Sequence, residues 1–131
     1  KTFETNLFGV IRLTQVLLPF LQRSKLPHIV NVGSMGGFQG SAKFPGLSIY
    51  SSSKAALACL SECMAEEFKE KKISVNCLAL GSAQTEMLAK AFPGYKAPLS
   101  AKQMAEFIAE FSVSGQKYFN GKVLPVSVAT P

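Results

Sequence analysis

Tyr50 and Lys54 stand four residues apart in the stretch YSSSK. That spacing puts a phenol and an ammonium on the same side of a helix. A phenol ionises near pH 10, and a cation held beside it favours the phenolate, so the pair has the makings of a proton donor and acceptor. The pair alone is weak evidence. Roughly one chain in four of this composition contains Tyr-x-x-x-Lys by chance, and a tyrosine packed at a helix start beside a solvated lysine is the bland alternative.

What raises the pair above chance is where the surrounding elements put it. The apolar residues Leu7, Val10, Ile11, Leu17, Leu18 and Leu21, with Thr14, recur at three- and four-residue steps and predict an amphipathic helix from Phe3 to Leu21, kinked or shortened by Pro19. HIVNVGS (28–34) and ISVNCLALG (73–81) do not alternate cleanly and read as buried parallel strands. Between them a helix is expected from about Tyr50 to Lys71, with Leu57, Leu60, Met64 and Phe68 on its core side. A capping box, SAKQ (100–103), opens a further helix that turns Met104, Phe107, Ile108 and Phe111 inward. KVLPVSV (122–128) is a strand whose Pro125 belongs at a sheet edge. Helix and strand alternate, which means an α/β fold with a parallel sheet and helical crossovers.

In open parallel sheets ligands bind beyond the carboxyl ends of the strands, and three features meet at that edge. Ser34 ends the first strand and precedes Gly36 and Gly37, Gly81 to Thr85 follow the second, and Tyr50 and Lys54 open the helix after the first loop. Each loop taken singly is ordinary turn chemistry. Their convergence is what points to a site.

Composition closes off other classes. The 131 residues are 47% hydrophobic, enough for a packed core, and LFGVIRLTQVLLPFL is too interrupted by Arg12, Gln15 and Pro19 to span a membrane. The net charge of +6 is scattered apart from KEKK at 69–72, so no nucleic-acid surface is expected. Cys59, Cys63 and Cys77, an odd number, suit a reduced, cytoplasmic setting. Cys59 and Cys63 are a helical turn apart, but His28 is the only histidine, and packing outweighs metal binding.

In order and spacing these segments resemble the short-chain dehydrogenase/reductases over essentially the whole chain. NLFGVIRLTQVLLPFL is similar to that family's fourth helix, with its active-site Asn at Asn6. IVNVGSMGG is similar to the fifth strand and catalytic serine (Ser34), and YSSSKAAL to the YxxxK helix. VNCLALGSAQTEM resembles the sixth strand and nicotinamide loop, with Leu80 where the family has proline, and GKVLPVS the edge strand. The loop between Ser34 and Tyr50 is longer than the family's common pattern.

The resemblance implies the C-terminal half of a Rossmann-like doubly wound domain over residues 1–131, with the N-terminal dinucleotide-binding half absent. It implies an NAD or NADP oxidoreductase acting on a small carbonyl or alcohol, the isolated 131 residues being inactive. By this carry-over Tyr50 exchanges the proton, Lys54 assists it and binds the nicotinamide ribose, Ser34 holds the substrate oxygen, and Asn6 steadies a water. Gly81, Ala83 and Thr85 would hold the nicotinamide end of the cofactor. Met87, Leu88, Ala91 and Phe92 would form a lid. Helices 3–21 and 50–71 would pair across a two-fold axis in a homodimer or homotetramer. An epimerase or dehydratase with the same Tyr and Lys, and a nucleotide-sensing or interaction protein that keeps the fold, are the alternatives.

Overall fold

The computed structural model describes residues 1–129. In chain order it forms α1 (Gly9–Leu21), β1 (His28–Ser34), α2 (Ser48–Glu67), β2 (Ser74–Leu80), β3 (Ala83–Gln84), α3 (Glu86–Ala91), β4 (Leu99–Ser100), α4 (Ala101–Ser114) and β5 (Val123–Val126). The main sheet has the order β1-β2-β5 and is parallel throughout. A second parallel ladder joins β3 to β4. The α/β class and the parallel sheet are as the sequence predicts; the β3–β4 ladder, two residues long on each side, carries no periodic signal that could announce it.

The register explains the layering. Successive residues of a strand face opposite sides of a sheet, so β1 presents Asn31 to α2, where its amide donates to Ser61 Oγ at 2.9 Å. His28, three residues away, faces the other side and meets Phe111 of α4, with ring centroids 5.5 Å apart. Between the layers β2 is the best-buried strand, with Val75, Asn76, Cys77 and Leu78 wholly enclosed. Met64 and Ala65 of α2 close on Val75, with Ile29, Leu60 and Phe68 packed around them.

Several expectations need correction. The helix expected to reach Lys71 ends at Glu67, because Lys72 takes a left-handed φ of 56° and reverses the chain into β2; that conformation costs a side-chain-bearing residue about 1–2 kcal/mol. Pro19, expected to kink or shorten α1, sits in its last turn, and the helix stops two residues later. Phe107 is 40% exposed and Leu17 41% exposed, so neither is a core residue. Strand β1 is not buried along its length, because it lies at an edge of the three-stranded sheet and leaves Val32 44% exposed. Pro125 does lie in the edge strand β5, and the capping box at Ser100 and Gln103 forms in both directions.

At the end of the sheet away from the strand carboxyl termini, a buried polar cluster ties three segments together. Asn76, fully buried, donates through Nδ2 to the Phe119 carbonyl and to His28 Nε2, both at 2.9 Å, and accepts from the Lys122 amide at 3.1 Å. His28 Nδ1–H donates to the Ser112 carbonyl at 3.1 Å, which leaves Nε2 as the acceptor and requires the neutral ring. Burial holds the His28 pKa below its ordinary value, against the opposing pull of the Ser112 hydrogen bond.

The unfolded chain therefore binds the His28 proton more readily than the folded one. Stability from this group is present above the unfolded value of about 6.5 and is lost as pH falls through it. Thermal melting of the intact protein between pH 7.5 and 5.5 should show a falling Tm, and His28→Gln should flatten that slope. An unchanged slope in the variant would assign the acid sensitivity elsewhere.

Candidate active site

Parallel strands deliver their carboxyl ends to one edge, and the register pairs Ser34 with Leu80 across the ladder. The loops after β1 and β2 therefore leave the sheet at the same rung. Ser34 is extended (φ −147°) and its hydroxyl accepts from the Gly36 amide at 3.1 Å, capping a 3-10 turn at Met35–Gly37. Among the described residues that hydroxyl donates no hydrogen bond, so its hydrogen is free for an incoming acceptor.

Two glycines in that turn set its distance from α2. A Cβ added to Gly36 would lie 3.4 Å from Ser34 Oγ and 3.8 Å from Tyr50 Cε1, so the serine hydroxyl and the tyrosine ring meet around one side-chain-free position. Gly37 is tighter still. A Cβ there would lie 2.5 Å from the Ala55 nitrogen and 2.7 Å from Lys54 Cβ. The turn thus rests directly on the helix backbone at the residue that carries the ammonium.

Lys54 Nζ donates to the Val32 carbonyl at 2.8 Å and lies 6.0 Å from the centroid of the Tyr50 ring. Its pKa is lowered, chiefly by burial, while the neighbouring Cys77 works in the opposite direction. Cys77 is fully buried between β2 and α2, and burial pushes its thiol pKa up, against the hydrogen bond from Ser61 and the charge of Lys54. An ammonium has three hydrogens and Val32 engages one, so two remain for oxygens at the sheet edge. Vicinal ribose hydroxyls are such acceptors, and on that ground the lysine fits a nicotinamide nucleoside.

Asn6 reaches the same region from the other side. It lies in a π-helical turn, Glu4–Phe8, closed by a bond from the Gly9 amide to the Glu4 carbonyl; turns of this kind are rare and gather at functional sites. Asn6 Nδ2 donates to Ser53 Oγ at 3.1 Å, and Ser53 Oγ donates to the Tyr50 carbonyl at 2.7 Å. Ser53 has no exposed surface. Its hydroxyl links the Asn6 turn to the first turn of α2, a role that sequence reasoning missed, although its position three residues after Tyr50 puts it on the helix's inner face.

The loop after β2 is arranged differently from the rest. Gly81 donates its amide to the Val126 carbonyl at 2.8 Å, and a Cβ there would lie 2.5 Å from that of Ser127, so the residue just after β5 excludes a side chain. Ala83 is engaged in the ladder with Leu99. Thr85 is exposed and caps α3, its hydroxyl accepting from the Leu88 amide at 3.2 Å. The geometry brings Asn6, Ser34, Tyr50 and Lys54 around the start of α2, with Gly81, Ala83 and Thr85 on the adjoining loop. A groove of about 390 Å³ adjoins the same glycine turn, lined by Gly36, Gly37, Phe44, Leu47, Ser51 and Ala55.

The family model described as short chain dehydrogenase matches residues 1–96. The chain is 33% identical over 109 residues to a fatty acyl-CoA reductase of Acinetobacter baylyi, covering 82% of this chain and 36% of that protein. It is 38% identical over 84 residues to a 3-oxoacyl-[acyl-carrier-protein] reductase of Bos taurus, covering 64% and 34%. A short chain dehydrogenase of Salmonella enterica serovar Typhi superposes with a TM-score of 0.80 at 27% identity over 94% of this chain and 50% of its own. The Pseudomonas aeruginosa RhlG–NADP active-site complex does so with 0.77 at 26% identity, over 95% and 54%. The chain thus spans about a third of the length of these curated relatives and about half that of these solved structures.

Gly37→Ala tests the contact that seats the loop on the helix. Overpacking against backbone costs about 1–3 kcal/mol, so the variant should melt several degrees lower. Because the contact is at Lys54, activity should fall further than the loss of folded protein explains. Wild-type melting would show that the contact relaxes freely.

Proposed function

The chain belongs to the short-chain dehydrogenase family, and from that premise we propose that it is the C-terminal half of an NAD- or NADP-dependent oxidoreductase domain that interconverts a carbonyl and an alcohol. The observation that carries the reading is the meeting of Ser34, Tyr50 and Lys54 around Gly36 and Gly37, with Asn6 linked to the same turn through Ser53. Bound dihydronicotinamide supplies hydride to the substrate carbon, or its oxidised form accepts it. The chain's own residues manage the oxygen.

In the reducing direction the carbonyl oxygen accepts hydrogen bonds from the Ser34 hydroxyl and the Tyr50 phenol. Negative charge grows on that oxygen in the transition state, and fixed donors aimed at it are worth more there than in the ground state. Tyr50 releases its proton to the oxygen to complete the alcohol, and the Lys54 ammonium offsets the charge left on the phenolate. Lys54 also donates to the nicotinamide ribose, and Gly81, Ala83 and Thr85 border the nicotinamide end. A water held beside Asn6 returns a proton to Tyr50. Oxidation runs the same steps backwards.

Assembly belongs to the same reading. The exposed side of α1 carries Leu13, Val16, Leu17 and Phe20, with Phe8 just before it, more apolar surface than a helix in water usually leaves open. We assign it, with α2, to contact between copies in a homodimer or homotetramer.

In the intact parent, Tyr50→Phe should abolish nearly all carbonyl-dependent NADPH or NADH consumption and leave cofactor affinity within a few fold; a tenth of wild-type turnover retained would refute the proton-transfer role. Lys54→Ala should damage both turnover and cofactor binding. Light scattering should give a dimer or tetramer mass, and a monomer at micromolar concentration would overturn the assignment of the helix faces.

A further inference from the structure

The tripeptide Phe-Pro-Gly occurs twice, at 44–46 in the loop before α2 and at 92–94 just after α3. The two copies fold alike. Leu47 donates its amide to the Phe44 carbonyl at 3.2 Å, and Tyr95 donates its own to the Phe92 carbonyl at 3.1 Å. Gly46 and Gly94 have φ of 85° and 83°. Proline second, glycine third with positive φ, and a bond from first to fourth residue make both of them type II turns. An added Cβ on either glycine would meet nothing within 4 Å, so both apices are open on that side.

The phenylalanines that open the two turns face each other. Their ring centroids are 5.0 Å apart and the planes are inclined at 75°, an edge-to-face contact. One ring belongs to the loop that leaves β1 at Ser34 and returns at Tyr50, the other to the segment that leaves β2 and carries Thr85. The contact therefore spans the gap between the two loops that frame the site.

Both turns are braced at their bases. Lys43 Nζ donates to the Phe38 and Ser41 carbonyls and to Ser41 Oγ, at 2.9, 3.0 and 2.7 Å. On the other side Tyr95 Oη meets Ser82 Oγ at 3.2 Å, and the Ala97 amide donates to Gln84 Oε1 at 2.9 Å. The rings are thus presented on braced turns, half-buried, and joined across the gap by their edge-to-face contact. A single edge-to-face pair shifts an open–closed equilibrium by about two- to tenfold, a bias that an entering ligand can overcome by replacing the ring contact with its own.

We propose that Phe44 and Phe92 form an aromatic gate across the mouth of the site, and that it selects carbonyl substrates bearing a flat or extended apolar substituent, which slides between the rings. This rests on the hydride-transfer reading above and adds a substrate class to it. A small polar carbonyl gains nothing from the rings. An aryl or long-chain alkyl ketone recovers the contact that its entry breaks.

The test uses the intact parent with Phe44→Ala, Phe92→Ala, the double variant and the milder Phe44→Leu, which retains apolar volume should the alanine variants melt early. For 2-decanone and 2-acetylnaphthalene kcat/KM should fall severalfold, up to about tenfold, in each alanine variant, with the double variant no worse than the singles. For diacetyl it should stay within twofold. Equal losses for all three carbonyls, or losses that multiply in the double variant, would overturn the gate. If the wild type reduces none of them, the hydride-transfer reading fails. Binding of 2-acetylnaphthalene, followed by its fluorescence, then decides the gate alone: binding weaker by severalfold, up to about tenfold, in the alanine variants supports it, and unchanged binding refutes it.

Discussion

A hydroxyl with no exposed surface has to find both a donor and an acceptor inside the protein or destabilise the fold by about 1–3 kcal/mol. Ser53 is such a group, and its partners are the Asn6 amide and the Tyr50 carbonyl. That requirement fixes the π-helical turn before α1 against the first turn of α2, two segments 47 residues apart in the chain. Once α2 is fixed at its start, the direction of Tyr50 and Lys54 follows. So does the seat of the glycine turn after β1, because Gly37 touches α2 at Lys54 and Ala55. The arrangement at the sheet edge is a consequence of one buried oxygen and one missing side chain.

The parts of this architecture legible in the sequence are those in which a pattern repeats or a residue type has one structural use. HIVNVGS ended where it was expected because a β-branched run closed by glycine has few alternatives, and the capping box at Ser100 was readable because its two members satisfy each other. Pro125 could be placed at an edge because it has no hydrogen to give a neighbouring strand. Ser34, Tyr50 and Lys54 were singled out as candidates by spacing and by their place after strand ends, and the resemblance added Asn6 to them; the fold places them near one another at the start of α2.

What stayed hidden depends on distance in the chain. Nothing in QGSAKFPGLS says that its phenylalanine will meet another 48 residues on, although the repeated tripeptide was there to be noticed. The exposed Phe107 was misread because periodicity reports which residues share a face, not how wide a neighbour covers that face. Lys72 was missed for a different reason. A left-handed lysine is uncommon, and a charged run such as KEKK gives no sign of which member will turn the chain.

The polar cluster around Asn76 also bears on how the chain acquires its structure. Its bonds reach back to His28 and forward to Phe119 and Lys122, separations of 48, 43 and 46 residues, while the flanking strand pairings on either side of β2 are equally non-local. Loop closure over such lengths has to precede any reward from the contacts themselves, which slows folding. During synthesis β2 emerges well before β5. Until the later strand arrives, Asn76 faces its neighbours with its amide half-satisfied and the apolar residues beside it open on one side, a condition in which nascent chains stick to one another or to chaperones. The strand that ends up best shielded from water is thus the one that waits longest for its cover.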